Sequence, residues 1–539
     1  MKRPAQKPPA PAPAPEAGEL SPETWWLIAI TFAALLLRLF YLEALGRTPF
    51  FEPISAQLDD GLYDQRALQI AAGDWLGRSW TAQAYHTTPY PYFLAAIYWS
   101  LGRSVWTAQL LQMLAGTLTP LFLYALAREA FEDKRAALIA AALGAAYVPF
   151  IYFEGFLLGE SLCVAFLLAG FTLMLPSFRR DGPPHPRLFG SGVLLGVAAL
   201  LRPQVLTAML LPVLYVGREF ARKAGAARPG VLAALSLAAG LAAGIAPVTV
   251  KNYVLYHEFI PISASGGVML YMGNNPEVES GKGFASAFGA GLHGTTDRAA
   301  AEAEQAEGRR LRPSEVSAYW VRRTARHVLE SPGSFARGML NKTLLFFNRF
   351  EFPDVRDMRF IALFIPLLKA GAFEYGVVAA LALCGAALCL PGSGPAAVVL
   401  FLFAAGYAAS VVMFYITARY RLPVAPFFIL FAAAALERLR AAWAAKDRAR
   451  LGRALALAAA SGVITFLPLT PMNFSNSYNS LALYHMHRGN LVEAERLLIE
   501  ALKIEPHYKD ALVNLSHLYR QRGDEARARA IEAALARGQ

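Results

Sequence analysis

Apolar residues gather into long runs from residue 25 onward, with polar residues confined mainly to the connectors between them. Runs at 25–45, 104–127, 136–153, 157–176, 189–203, 204–216, 230–250, 374–391, 395–416, 422–436 and 454–470 are each long enough, allowing for kinks, to cross a hydrocarbon layer as helices. The pattern therefore predicts an all-α integral membrane protein with about 11 transmembrane helices. The aromatic run at 89–101 is too short to cross and suits a helix lying along the interface. Two long connectors, 46–103 and 251–373, interrupt the series. The second carries an amphipathic helix over 314–329 behind Pro313 and an aromatic stretch over 344–352 expected at the interface.

Composition removes the soluble alternative. The chain of 539 residues is 56% hydrophobic and only 17% charged, where a quarter charged is usual for soluble domains. Residues 1–23 are rich in Pro and Ala and are expected to form a disordered tail, with the membrane domain occupying 24–470. The 25–45 run is too long for a signal-peptide core and no cleavage site follows it, so it is expected to remain as the first span. The net charge of +12 forms no contiguous basic stripe, which argues against a nucleic-acid partner. Instead Arg and Lys fall in alternate connectors: Arg128, Lys134 and Arg135; Arg179, Arg180 and Arg187; Arg218, Arg222, Lys223 and Arg228; and Arg438 through Arg453. By the positive-inside rule these connectors and the N-terminus are cytoplasmic, and 46–103, 251–373 and the C-terminal segment lie on the extracytoplasmic face of a plasma (inner) membrane. Cys163, Cys384 and Cys389 sit inside apolar runs with neither disulfide nor metal spacing.

Residues 475–539 change character to polar, amphipathic helices that repeat every 34 residues: Leu481 with Leu515, Gly489 with Gly523, Ala494 with Ala528. With Ala501 and Pro506, this resembles the tetratricopeptide repeat, two antiparallel helices per unit. Glu532 stands where a large apolar residue is usual, so the second unit is degenerate or a cap. Two units are fewer than a free-standing stack needs, so they are expected to lean on the membrane domain or a protein partner.

The chemistry-bearing residues fall at the extracytoplasmic ends of the predicted spans. Asp59 and Asp60 open a helix that carries Tyr63 and continues through Ala72, and Glu160 enters the bilayer edge in the first turn of a span. Each acid could equally be a helix cap or compensate a helix dipole. Glu154 precedes Glu160 by about 240° of helix, so a continuous helix would turn the two apart. Arg38 is an ionisable residue in the middle of the first run. Cations recur where the inside rule disfavours them: Arg202 before Pro203, Lys251 beside Asn252, and Arg419, Tyr420 and Arg421 before Leu422 and Pro423. Cations for a phosphate, an apolar groove for a long chain and acids for an incoming hydroxyl would suit a phosphate joined to an isoprenoid. No glycine-rich phosphate loop is present to support a nucleotide donor.

Asp59-Asp60-x-x-Tyr63, Tyr90-Pro91-Tyr92, Gly159-Glu160-Ser161, Leu200-Leu201-Arg202-Pro203 and Arg419 through Pro423 together resemble the polyprenyl-phosphate-sugar glycosyltransferases of the GT-C superfamily. The protein O-mannosyltransferases and aminoarabinose transferases are the most similar by pattern, over about residues 24–436, and the stretch from Pro261 to Pro276 is also typical. That resemblance implies Asp59 as catalytic base with Asp60 beside it, Glu160 as the second acid, and Arg202, Arg419 and Arg421 on the lipid phosphate. It implies a polyprenyl-phosphate sugar donor and a protein or glycan acceptor. Three positions depart from the family: the acidic pair is Asp-Asp, the second site is Glu160, and Thr88 replaces a lysine, leaving His86 as the nearest substitute. Asp59, Glu154 and Glu160 could share a divalent cation, although no ligand spacing requires one. A non-catalytic scaffold, a transporter, or a ligase or polymerase of lipid-linked glycans are the alternatives. A transporter is expected to place its ionisable residues at the midplane instead.

Overall fold

The computed structural model describes residues 20–53, 58–80, 88–179, 185–276, 278, 292–353, 356–370, 374–470 and 473–536. Among these there are helices and connectors and no strand. His86 and most of the 1–23 tail lie outside the described residues.

Every one of the predicted apolar runs falls on helix. The first is α1 (Pro22–Gly46), opened by Ser21, whose hydroxyl accepts from Thr24 N–H at 3.2 Å. Two shorter helices follow, α2 (Asp59–Ala71) and α3 (Tyr90–Leu101). Next come α4 (Val105–Gly116) and α5 (Thr119–Phe131), then α6 (Lys134–Ala146) and α7 (Val148–Glu154). The last two are bent by 44° where Pro149 enters. Helix α8 (Glu160–Met174) precedes α9 (His185–Leu201), α10 (Gln204–Ala208), α11 (Leu210–Ala224) and the long α12 (Ala227–Tyr256). The segment after α12 holds α13 (Gly266–Gly273), α14 (Leu292–Glu307), α15 (Pro313–Glu330), α16 (Pro332–Phe347) and the single turn α17 (Met358–Ile361). Helices α18 (Tyr375–Cys389), α19 (Pro395–Met413), α20 (Ala418–Arg421), α21 (Ala425–Ala444) and α22 (Arg448–Thr465) complete the membrane series. Among the described residues six helices, counting near-continuous pairs as one, are long and apolar enough to cross a membrane, and a seventh if the bent pair is one span.

Arg38 does not reach toward either surface. It is fully buried, donates to Glu154 Oε1 at 3.0 Å and to the Ala34 and Ala145 carbonyls at 3.2 and 3.4 Å, and has Nε 2.7 Å from Glu154 Oε2 as an ion-pair contact. The Glu154 pair ties α1 to the end of α7, and the Ala145 bond ties it to the end of α6. A lone charge there would cost several kcal/mol, so each residue requires the other.

The tail forms four helices, α23 (Ser475–His487), α24 (Leu491–Ile504), α25 (Lys509–Gln521) and α26 (Glu525–Ala536). The equivalent glycines Gly489 and Gly523 both turn the chain at positive φ, +74° and +77°, where a side chain would be strained. Glu532 is accommodated by Ser516 and Arg520, which bond its carboxylate at 2.7 and 2.8 Å. The repeats lean on the membrane domain through Phe360 of α17, whose ring stands 4.9 Å from Tyr478 and 5.7 Å from Phe474.

Candidate active site

Four side chains distant in sequence converge at helix ends. Asp59 is the first residue of α2 and Glu160 the first of α8, positions where the helix dipole favours a carboxylate. Arg202 directly follows the last residue of α9, where the dipole favours a cation. Arg419 sits in α20, whose start is fixed by the Thr417 hydroxyl accepting from Tyr420 N–H at 3.3 Å. The connector between α7 and α8 breaks the chain between Glu154 and Glu160, so the two acids belong to different helices and serve different partners.

Arg419 bridges Asp59 through one Nη and Glu160 through Nε, and Arg202 forms an ion pair with the same Glu160 oxygen. Glu160 is 1% exposed, Arg419 5% and Arg202 8%. Two carboxylates and two guanidiniums thus form a buried group with no net charge. Glu160 Oε2 has no hydrogen-bond partner among the described residues. Tyr420 lies under Arg202 at 4.6 Å, and its hydroxyl is 2.8 Å from that of Tyr415. Tyr63, one turn beyond Asp59, packs edge-on against Tyr90 at 5.6 Å. Burial pushes its hydroxyl pKa up to about 12, so it is a neutral donor at physiological pH.

Asp60 and Arg421 point elsewhere. Asp60 pairs with Arg356 at 2.6 Å, both buried, and Arg356 also reaches the Glu52 carbonyl at 3.1 Å and lies over Phe156. Arg421 pairs with Glu351 at 2.6 Å and bonds the carbonyls of Asn348 and Phe350 at 2.7 Å, with Tyr375 stacked at 4.0 Å. Its guanidinium is committed to shaping the 345–351 chain. Glu154, bound to Arg38, does not face Asp59 or Glu160. Among the described residues no three His, Cys, Asp or Glu side chains converge as a metal site would require.

Lys251 is one of the cations expected from the sequence, whereas Arg66, Trp80 and Lys342 carry no sequence signal. Lys251 donates to Tyr92 Oη at 2.8 Å and stands 4.8 Å from the Trp80 ring, over which Arg66 also lies at 4.6 Å. Lys342 in α16 is buried and bonds Gly273 O at 3.1 Å, Asn274 Oδ1 at 2.8 Å and Phe414 O at 3.0 Å. Burial pushes its pKa down to about 7. Asn274 adds a bond to Met413 O at 2.8 Å, and a Cβ on Gly273 would lie 1.9 Å from Phe414 O. The Gly273 turn therefore clamps the end of α19, five residues before Arg419.

Residues 86–245 match the family described as dolichyl-phosphate-mannose-protein mannosyltransferase, and residues 485–537 match the tetratricopeptide repeat. No curated protein matches the chain. One similar solved structure is the archaeal oligosaccharyltransferase AglB from Archaeoglobus fulgidus, in complex with an inhibitory peptide and a dolichol-phosphate. Identity is 16% over 85% of this chain, with a TM-score of 0.44, and the chain covers 58% of the length of AglB. ArnT from Cupriavidus metallidurans is similar over 78% of this chain and 79% of its own. Identity is 16% and the TM-score 0.33 for ArnT bound to undecaprenyl phosphate, against 17% and 0.31 for its apo state. The chain thus matches the glycosyltransferase family indicated by its motifs over residues 86–245, and the repeat family over residues 485–537.

Proposed function

We propose that this protein is a membrane glycosyltransferase moving a sugar from a polyprenyl-phosphate donor to an acceptor hydroxyl, with inversion, on the extracytoplasmic face. The observation that carries the proposal is the convergence of Asp59, Glu160, Arg202 and Arg419 from four helix ends into one buried group. The family match over residues 86–245, which include Glu160 and Arg202, supports the same reaction class.

In this mechanism the acceptor oxygen attacks the anomeric carbon as the bond from that carbon to the phosphate oxygen breaks. Asp59 takes the acceptor's proton, and the polyprenyl phosphate leaves with the bonding electron pair. Arg419 orients the Asp59 carboxylate, and Glu160 fixes both guanidiniums. The unpaired Glu160 Oε2 can accept from a sugar or acceptor hydroxyl. Arg202 and Arg419 stand ready to stabilise the departing phosphate once the acceptor's proton neutralises Asp59. The repeats pack on Phe360, four residues beyond the Arg356 that pairs with Asp60, and suit recruitment of a protein acceptor or partner.

The test is sugar transfer in membranes supplied with lipid-linked donor. Asp59→Asn is expected to abolish transfer while expression and melting stay near wild type, and Arg202→Ala is expected to abolish it in the protein that remains folded. Normal transfer by Asp59→Asn would overturn the assignment of the base.

A further inference from the structure

Lys342 is 1% exposed, and its bonds to Gly273 O, Asn274 Oδ1 and Phe414 O use all three N–H donors of an ammonium. Every one of these acceptors is neutral. Gly273 closes α13 and Phe414 follows the last residue of α19, so two of them are carbonyls at helix ends, where a helix leaves its own oxygens unpaired. The helix dipole favours a cation at both places. A single ammonium thus caps two helices and holds their ends together. Burying it without a carboxylate is costly, and burial alone pushes its pKa down to about 7. The ionisable residues on neighbouring elements, Tyr271 of α13, Arg323 and His327 of α15, Tyr375 of α18, and Tyr415 and Arg419 beyond α19, exert no pull that offsets it. A neutral side chain would avoid that cost, so the charge itself calls for a reason.

The reason lies one residue further along. Tyr415 follows Phe414, and its hydroxyl stands 2.8 Å from that of Tyr420 and 3.5 Å from Met269 Sδ of α13. The two tyrosine rings lie 5.2 Å apart, and the Tyr420 ring lies under the Arg202 guanidinium at 4.6 Å. Asn274 adds a second tie at the same junction, donating to Met413 O at 2.8 Å and to Leu270 O at 2.9 Å. Contacts therefore run without a gap from Lys342 through the chain 413–420 to Arg202. A neutral amine keeps two N–H donors and turns a lone pair toward the third oxygen, so one of the three bonds becomes a repulsion and the ends of α13 and α19 move apart.

We propose that Lys342 is a positioning residue for the transfer step: as an ammonium it pins the ends of α13 and α19 together and so holds Tyr415 and Tyr420 beneath Arg202. The inference rests on the glycosyltransferase function proposed above, because Lys342 acts through Arg202 and the departing phosphate. Its contribution belongs to the chemical step and not to the capture of donor.

The experiment measures steady-state transfer from a lipid-linked donor and equilibrium unfolding in SDS, both on the purified full-length protein and both across neutral pH. As pH rises through about 7, wild-type kcat should fall while stability rises, because loss of the proton relieves the buried charge and breaks the clamp. A residue that merely braced the fold would move the two together. Lys342→Met should lower kcat about tenfold or more, leave the donor KM within a few-fold of wild type, and show no fall of kcat across that pH. Lys342→Arg, whose charge does not titrate, should stay within a few-fold of the wild-type kcat on the acid side and hold that rate above neutrality. A wild-type kcat that rises with stability, or a Lys342→Met protein with the wild-type kcat and pH profile, would overturn the role of Lys342 and leave the proposed reaction standing. Should Lys342→Met not fold, the opposed pH trends of the wild type alone decide. If the wild type transfers no sugar at any pH, the reaction itself is refuted and the role of Lys342 with it.

Discussion

Asp59→Asn and Glu160→Gln each remove one negative charge without changing shape, yet the geometry predicts different consequences. Glu160 receives both Arg202 and Arg419, and its side chain is 1% exposed. Glu160→Gln would leave two buried guanidiniums facing each other with only Asp59 to balance them. Removing one partner from a buried ion pair costs about 3–5 kcal/mol, and this carboxylate serves two partners. In Asp59→Asn, Arg419 keeps Glu160, and the 13% exposed Asp59 carboxylate is the less buried of the two acids, so a loss of about 1 kcal/mol is expected. The order reverses for chemistry at the base: Asp59→Asn should lower the rate of transfer by about 10²–10⁴-fold in protein that remains folded. Equilibrium unfolding of the detergent-solubilised protein in SDS, set beside single-turnover transfer from a lipid-linked donor, measures both quantities. Glu160→Gln/Arg202→Met should recover part of the stability lost in Glu160→Gln, because it removes one of the opposed cations. Equal stability of the two single variants would refute the shared-carboxylate arrangement.

Two further outcomes are expected. Phe360→Ala removes a ring that is 2% exposed and touches both Phe474 and Tyr478, at a cost of about 3–5 kcal/mol; limited proteolysis should then release the repeats faster than from wild type. Lys342 has a folded pKa of about 7, below its ordinary 10.5, so between these values the unfolded chain binds more protons. Stability should therefore rise with pH across that window relative to Lys342→Met, and parallel curves for the two proteins would contradict it.

Helix placement was legible because apolar runs and repeat glycines are local properties. The convergence of Asp59, Glu160, Arg202 and Arg419 was partly legible too, since all four stand at or beside helix ends, where a charge at the bilayer edge calls for a reason. Partner identity was not. Asp60 is one residue from Asp59, and about 100° of helix turns it to Arg356. Arg421 is two residues from Arg419, and about 200° sends it to Glu351 and a row of carbonyls. Arg38 and Glu154 are separated by 116 positions, and no local pattern announces their pairing. Arg66, Trp80 and Lys342 take their meaning entirely from what tertiary packing brings beside them.

The segment 356–361 joins parts of the molecule that share no other role. At one end Arg356 grips Asp60, next to the residue proposed as base, and one turn later Phe360 lodges against the first repeat helix. Both anchors are buried, and only four positions separate them, too few for an intervening hinge of any length. The segment is a strut, and a load placed on the repeats is borne by the first turn of α2.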